Sequence, residues 1–374
     1  MSRIVVLGLS ITSSWGNGHA TTYRALLRAL AARGHELLFL ERDVPWYAEN
    51  RDLPSPPFCR VALYGGVDEL ARRFAAEVRD ADVVVVGSYV PEGVAVGEWV
   101  LATARGVTAF YDIDTPVTAR KLAAGDSEYL TPSLAGRYQL YLSFTGGPLL
   151  DELAARYGAA PRPLFCAVDP ELYFPTTATV RWDLGYLGTY SDDRQPALER
   201  LLLEPARRWR QGRFVVAGAM YPESIAWPPN VARFIHIAPA EHRDFYNAQR
   251  FTLNVTRADM SVAGHSPSVR LFEAAACGVP IISDVWPGLD ELFVTDGAAR
   301  EIFVSRSPDE TLALVRDVGD EERRAVAARA RARVLSAHTA AHRAVAFERY
   351  VQLATTGGLR TRRKERESTW PRSL

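Results

Sequence analysis

The segment His265-Ser-Pro-Ser-Val-Arg-Leu-Phe-Glu-Ala-Ala-Ala-Cys-Gly-Val-Pro280 concentrates the residue types that handle a phosphorylated ligand. Ser266 is a good N-cap and Pro267 a good first helical residue. A short helix starting there leaves backbone N–H groups without partners and favours negative charge at its beginning. Ser268 lies in the same turn. Arg270 adds a fixed cation suited to a diphosphate. Glu273 supplies a carboxylate able to accept both hydroxyls of a ribose. The same Arg270 and Glu273, three residues apart, also match a surface salt bridge on a core helix. His265 stands just ahead of the capping serine.

Further chemistry-bearing residues lie in loops after apolar runs. Gly188, in Tyr186-Leu-Gly-Thr-Tyr-Ser-Asp-Asp-Arg194, permits close backbone approach, and Arg194 can reach phosphate. The alternative for Arg194 is a helix-start residue paired with Asp192 or Asp193. Gly218 ends Val215-Val-Ala-Gly218 at the carboxyl edge of a strand, where ligands sit in open α/β sheets. Ile237, in His236-Ile-Ala-Pro239, is read as a backbone contact for a nucleobase. Arg257 and Asp259 precede the main motif and fit the same site.

Nearer the start, Trp15-Gly-Asn-Gly-His-Ala-Thr-Thr22 offers Gly16 and Gly18 for close approach of a phosphate or sugar. Thr21 stands where a dinucleotide fingerprint needs its third glycine, so a nicotinamide site is a poor match. His19, a residue type able to give or take a proton, stands in the same loop; the alternative is a helix-capping or phosphate-positioning residue. Tyr111-Asp-Ile-Asp-Thr-Pro116 holds Asp112 and Asp114 at alternate strand positions. Such a pair could hold a divalent cation, or form an ordinary turn. Binding a polar ligand or acting as a base is favoured over the metal site for this pair. Gly146-Gly-Pro148 is another loop at a strand end.

The elements that must position these residues are strands alternating with helices. Ile4–Leu9, Glu36–Leu40, Val83–Val86, Thr108–Ile113 and Leu140–Phe144 read as strands. The four valines at 83–86 show no alternation, as expected of a parallel strand covered on both faces. A second series follows at Leu184–Leu187, Phe214–Ala217, Phe234–Ile237, Phe251–Val255 and Pro280–Ser283. Helices are expected at Gln195–Arg210 and Glu241–Gln249. A long helical pattern runs from about Glu321 to Ala354, with a kink or break near His338. The expected division is 1–175 and 176–337 as two α/β domains, 338–358 as a closing helix, and 359–374 as a disordered basic tail.

The chain has 374 residues, which at roughly 100–200 per domain suits two domains. Its 44 basic residues balance 44 acidic ones, which argues against a general nucleic-acid binder. Cys59, Cys166 and Cys277 are far apart and form no C-x-x-C pair, so neither a disulfide framework nor a zinc site is expected. No run of about 18 apolar residues occurs, and the first apolar run is too short for a signal-peptide core. A cytoplasmic protein is the expectation.

The run Glu273-Ala-Ala-Ala-Cys-Gly-Val-Pro280 resembles the nucleotide-sugar signature of GT-B glycosyltransferases, in which such a Glu holds the donor ribose. The Ser-Val-Arg-Leu-Phe-Glu form resembles the CgeB-like glycosyltransferases, a bacterial group. Val168-Asp-Pro-Glu-Leu-Tyr-Phe-Pro175 looks like the interdomain segment of that fold, and Tyr186–Arg194 like its first donor-domain loop. The resemblance implies two Rossmann-like domains facing across a cleft. It implies a hexosyltransferase that uses a nucleotide-diphosphate sugar, with UDP expected, as co-substrate, and an unspecified acceptor. Neither metal nor resident cofactor is implied; the diphosphate charge falls to Arg270 and Arg194 instead. Many retaining members carry an acidic sugar contact where this chain has His265, whereas a loop histidine such as His19 is the base of inverting members. The resemblance therefore leaves the stereochemistry open. A nucleotide-sugar epimerase of the same fold, or a non-catalytic nucleotide-sugar-binding protein, are the alternatives.

Overall fold

The computed structural model describes residues 1–357, so the basic tail lies outside the described residues. The chain forms two compact units. One holds Met1–Ser13, Leu26–Phe165 and the chain from Arg343 onward; the other holds Ser14–Ala25 and Cys166–His342.

The first unit is built on seven parallel strands: β1 (Arg3–Gly8), β2 (Glu36–Arg42), β3 (Arg60–Tyr64), β4 (Val83–Gly87), β5 (Val107–Asp112), β6 (Leu140–Ser143) and β7 (Pro161–Pro163). Their spatial order is β3-β2-β1-β4-β5-β6-β7. Every residue of β4 is buried, as the unbroken valines require. The edge strands β3 and β7 are absent from the sequence reading. β3 is mostly half-exposed, so it lacks the continuous apolar run that marks a covered strand. β7 is Pro-Arg-Pro, and proline, having no N–H, is tolerated on a sheet edge. Leu70, Phe74 and Val78 of the helix Val67–Asp80 recur every four residues and pack on this sheet.

Glu41, at the end of β2, is fully buried and was not singled out in the sequence. Its carboxylate accepts bonds from Ser10 Oγ (2.9 Å), Ile11 N (2.8 Å), Thr12 N (3.1 Å) and Thr12 Oγ1 (2.6 Å). Four donors on one carboxylate repay its desolvation and fix the chain where it leaves β1.

The second unit has six parallel strands: β8 (Trp182–Leu187), β9 (Phe214–Ala217), β10 (Val231–Phe234), β11 (Gln249–Asn254), β12 (Ile281–Ser283) and β13 (Phe303–Val304). They are ordered β10-β9-β8-β11-β12-β13. The chain order reverses between β8 and β11, and between β1 and β4 in the other sheet. The expected strand Phe234–Ile237 falls instead at Val231–Phe234. Its apolar signal came from Phe234, the strand's last residue, and Ile235 just beyond it, which are 42% and 70% exposed.

The helix expected over Gln195–Arg210 spans Gln195–Arg208 with a π turn at Glu199–Leu203. Pro205 accounts for it. A proline ring inside a regular helix collides with the carbonyl four residues back. Widening the preceding turn, with Glu204 N–H bonded to Glu199 O, accommodates the ring. The closing pattern divides into Asp320–Ala337 and Ala340–Thr355. At the break, Val168 pairs with Thr339, taking a bond from Ala340 N and giving one to His338 O.

The last helix docks on the first unit. Glu348 accepts a bidentate pair from Arg33 Nε and Nη2, both at 2.6 Å, and lies 2.8 Å from His35 Nε2. Tyr350 donates to Pro163 O and Arg343 to Phe165 O. The Arg33 bond holds the Glu348 carboxyl down at about 2. A depressed folded-state pKa stabilises above the unfolded value and is lost as pH falls through the folded one. The pair is partly exposed, so solvent screens it and its contribution is modest. Glu348→Gln should therefore lower Tm by about 2–4 °C at pH 7. The gap should close progressively below about pH 4.5, as followed by circular dichroism melts at several pH values.

Candidate functional site

Open parallel sheets bind ligands beyond the carboxyl ends of their strands, where strand order reverses. In the second unit that point lies between Leu187, the end of β8, and Asn254, the end of β11. Arg270 occupies it. Its Nε donates to Leu187 O (2.6 Å) and its Nη1 to Asn254 Oδ1 (2.9 Å). The guanidinium carbon lies 4.7 Å from the centre of the Tyr186 ring. The side chain is 6% exposed. All its hydrogen bonds go to neutral acceptors, so among the described residues its positive charge has no ion-pair partner.

Asn254 extends the network. Its Nδ2 donates to Ser283 Oγ (3.0 Å) and approaches Thr256 Oγ1 (3.4 Å). Asp284 accepts from Thr256 N and Oγ1, each at 2.9 Å. Burial raises the Asp284 pKa, and the Thr256 bonds and the Arg270 charge partly offset it. Asn254 and Asp284 were missed in the sequence; their signal is a polar residue ending an apolar strand.

The helix carrying Arg270 spans Val269–Ala276 and is capped by Ser268, whose Oγ accepts from Arg270 N at 3.4 Å. The expected cap, Ser266, lies outside the helix and is buried at 2% exposure. Ser268 holds the extended backbone that a cap needs (φ −76°, ψ 143°). Gly278 ends the helix with φ +68°.

Arg270 and Glu273 do not form a surface salt bridge, since both are buried and hold different groups. Glu273 accepts from Tyr246 Oη at 3.0 Å and interacts with Tyr173, whose hydroxyl lies 3.3 Å from His242 Nδ1. Burial pushes the Glu273 carboxyl up to about 7, against the lowering effects of Tyr173, Tyr246 and Arg270. Tyr246 was not singled out, and Tyr173 appeared only within the segment Val168–Pro175.

Gly188 and Gly218 are glycine for packing reasons. A Cβ on Gly218 (φ +156°) would sit 1.9 Å from Gly188 O. One on Gly188 would lie 2.9 Å from Arg270 Nη2. Arg194 turns back to Thr189 O (2.8 Å) instead of pairing with Asp192 or Asp193. Asp193 pairs with Arg257 (3.5 Å) and Asp192 accepts from Tyr190. Ser191 Oγ, Arg194 Nε and Gln195 Oε1 are buried without hydrogen-bond partners. Ile237 packs beside Val215, Ala217 and Phe245, and its carbonyl faces His242 Nε2 at 3.1 Å. His265 has φ +47°, and its Nδ1 lies 3.1 Å from Glu291 Oε2.

In the loop after β1, Gly16 has φ +61°, and a Cβ at Gly16 or Gly18 would meet nothing within 4 Å. Only Gly16 is thus required by backbone conformation. His19 N donates to Asn17 Oδ1 at 3.1 Å.

In the first unit, Asp112 is fully buried. Its oxygens accept from Tyr141 Oη, Thr118 Oγ1 (2.8 Å) and Asp114 N (3.3 Å). Burial raises it to about 6. Asp112 is therefore a core carboxylate engaged by its own chain, not a group presented to an acceptor. Asp114 is half-buried and accepts from Tyr89 Oη at 3.2 Å; Tyr89 itself has φ +61°. Among the described residues, no group of three or more His, Cys, Asp or Glu converges as a metal-ligand cluster. No helix there is long and apolar enough to cross a membrane.

Residues 194–349 match the family model described as glycosyl transferase-like. No relative was found among curated proteins. Solved structures agree over nearly the whole chain. Sucrose-phosphate synthase from Thermosynechococcus elongatus is 14% identical at TM-score 0.68, covering 95% of this chain and 100% of that one. Anabaena HepE in complex with UDP-glucose is 13% identical at TM-score 0.68, with 95% and 100% covered. AviGT4, a glycosyltransferase involved in avilamycin A biosynthesis, is 16% identical at TM-score 0.61, with 96% and 99% covered. The fold is thus GT-B, with two Rossmann-like domains.

Glu273 supplies a pH signature. Its folded-state pKa, about 7, exceeds the usual carboxyl value, so the native state binds the proton more tightly than the unfolded chain. Stability is then highest below about pH 4.5 for this group and falls as pH rises through about 7. Glu273→Gln, which removes the charge, should gain stability over the native protein on the order of 1–3 kcal/mol at pH 8 and little at pH 5. Urea denaturation at the two pH values checks this; an equal difference at both would show that the carboxylate is not the titrating cause.

Proposed function

We propose that this protein is a glycosyltransferase that binds a nucleoside-diphosphate sugar, with uridine as the base, on the second unit. The observation that carries the reading is the buried Arg270 cation at the strand-order reversal, held by neutral groups alone. A diphosphate is the anion that fits it, and the capped helix start at Ser268 adds backbone N–H groups aimed the same way. Glu273, further along the same helix, would accept the ribose hydroxyls, with Tyr173 and Tyr246 orienting its oxygens. The unpartnered Ser191, Arg194 and Gln195 atoms offer further polar contacts to such a ligand. Ile237 and its backbone would border the base. His265, just ahead of the helix, would meet the sugar.

During transfer the sugar–phosphate bond breaks and charge grows on the leaving diphosphate. Arg270 is positioned to stabilise that charge without reorganising, so no metal is required. The acceptor hydroxyl must lose a proton, and His19 is the side chain assigned to that step. Asp112 is left out of that assignment because Tyr141, Thr118 and Asp114 N already engage its oxygens. The Ser268-Val-Arg-Leu-Phe-Glu273 form favours the CgeB-like group within this class. The neighbours solved with UDP or UDP-glucose support the uridine donor.

Calorimetry with UDP tests the reading. The native protein should bind it with EDTA present. Charged hydrogen bonds contribute about 1.5–3 kcal/mol, so Glu273→Ala should weaken UDP roughly 10–100-fold with an unchanged circular dichroism spectrum. Native-level affinity in that variant would remove the ribose assignment.

A further inference from the structure

His265 is constrained from three directions. Its own φ of +47° is uncommon for a non-glycine residue. Gly264 before it has φ +67°, and a Cβ there would lie 2.8 Å from the Pro287 carbonyl oxygen. Gly288, with φ +87°, leaves the space filled by the imidazole, since a Cβ there would lie 2.4 Å from His265 Nδ1. His265 N also donates to Pro287 O at 2.7 Å. Strained backbone persists where surrounding structure over-determines it, and here the constraints meet on one residue.

Glu291 then determines what the ring presents. Its Oε2 lies 3.1 Å from Nδ1. A carboxylate can only accept, so Nδ1 carries the hydrogen in the neutral ring. Nε2 is left with a free lone pair, and no other group among the described residues engages the ring. The His265 side chain is 19% exposed and that of Glu291 67% exposed, so this edge is open to solvent.

We propose that Glu291 is a positioning residue that locks His265 in the Nδ1–H tautomer, so that Nε2 accepts a hydrogen bond from a hydroxyl of the donor sugar. This rests on the nucleotide-sugar reading above. It adds a selection rule: the sugar must offer a hydroxyl at that position, because a deoxy sugar leaves Nε2 unpaired.

Nitrogen-15 spectra of the imidazoles at pH 8 test the tautomer without any ligand. The His265 signals are identified by their loss in His265→Asn, a residue that tolerates positive φ. The native ring should show Nδ1 protonated and Nε2 bare. Glu291→Ala should move it toward the Nε2–H form, and Glu291→Gln, which keeps an accepting oxygen, should restore it. UDP-glucose should shift Nε2 whereas UDP should not. Glu291→Ala should weaken UDP-glucose about fivefold or more while UDP stays within about twofold, as expected for one hydrogen bond. A native Nε2–H ring, or equal effects on UDP and UDP-glucose, would overturn the proposal while leaving nucleotide binding intact. A native protein that binds neither compound would overturn the functional reading and this inference together.

Discussion

One guanidinium organises the second unit. Arg270 joins the backbone end of β8 to the side chain at the end of β11, across the gap opened by the reversal of strand order. Several local features follow from making room for it. Gly188 has no side chain because Nη2 and the Tyr186 hydroxyl lie where a Cβ would go. Gly218 then packs its bare Cα on the Gly188 carbonyl. Asn254 ends its strand with an amide, which can accept from the arginine and donate to Ser283 at once. A buried cation without a carboxylate is costly in an unliganded fold and sensible in one that receives an anion.

The buried carboxylates show the complementary logic. Glu41 lies under four donors and holds a loop. Asp112 has both oxygens engaged and is raised to about 6. Glu273 is raised to about 7 with two tyrosines beside it. Burial acts on all three, but the surroundings differ. Glu41 and Asp112 are tied to backbone or neighbouring core groups of their own unit. Glu273 shares its helix with the unpaired arginine. The same residue type thus stands among its own unit's donors in one place and beside an arginine without a carboxylate partner in another, and spacing in the chain does not distinguish them.

That distinction marks what the amino-acid order reveals. Continuous apolar runs such as Val83–Val86 identify central strands, because a strand covered on both faces has no polar positions to break the pattern. Edge strands such as Pro161–Pro163 carry no such signature. The helix start was misplaced by two residues because Ser266 and Ser268 are equivalent in composition and differ only in backbone angles. Arg270 and Glu273 were legible as a pair; their separate partners were not, since Leu187 O and Tyr246 come from distant positions. Asp112 and Asp114 looked alike as alternating acids, and only the third dimension shows Tyr141 and Thr118 closing over the first of them. The Glu41 anchor left no local trace, because its four donors lie about thirty residues upstream.

The docking of Ala340–Thr355 has a temporal consequence. The ribosome releases all seven strands of the first sheet before any strand of the second. Yet Arg33, His35 and the Pro163 and Phe165 carbonyls acquire their partners from a helix made only after every strand of the second sheet. The first unit to begin folding is therefore the last to be finished. A nascent chain halted between Cys166 and His342 would carry a first unit with an open seam, and loss of the helix Ala340–Thr355 would injure the amino-terminal sheet before the sheet that lies closer to it in sequence.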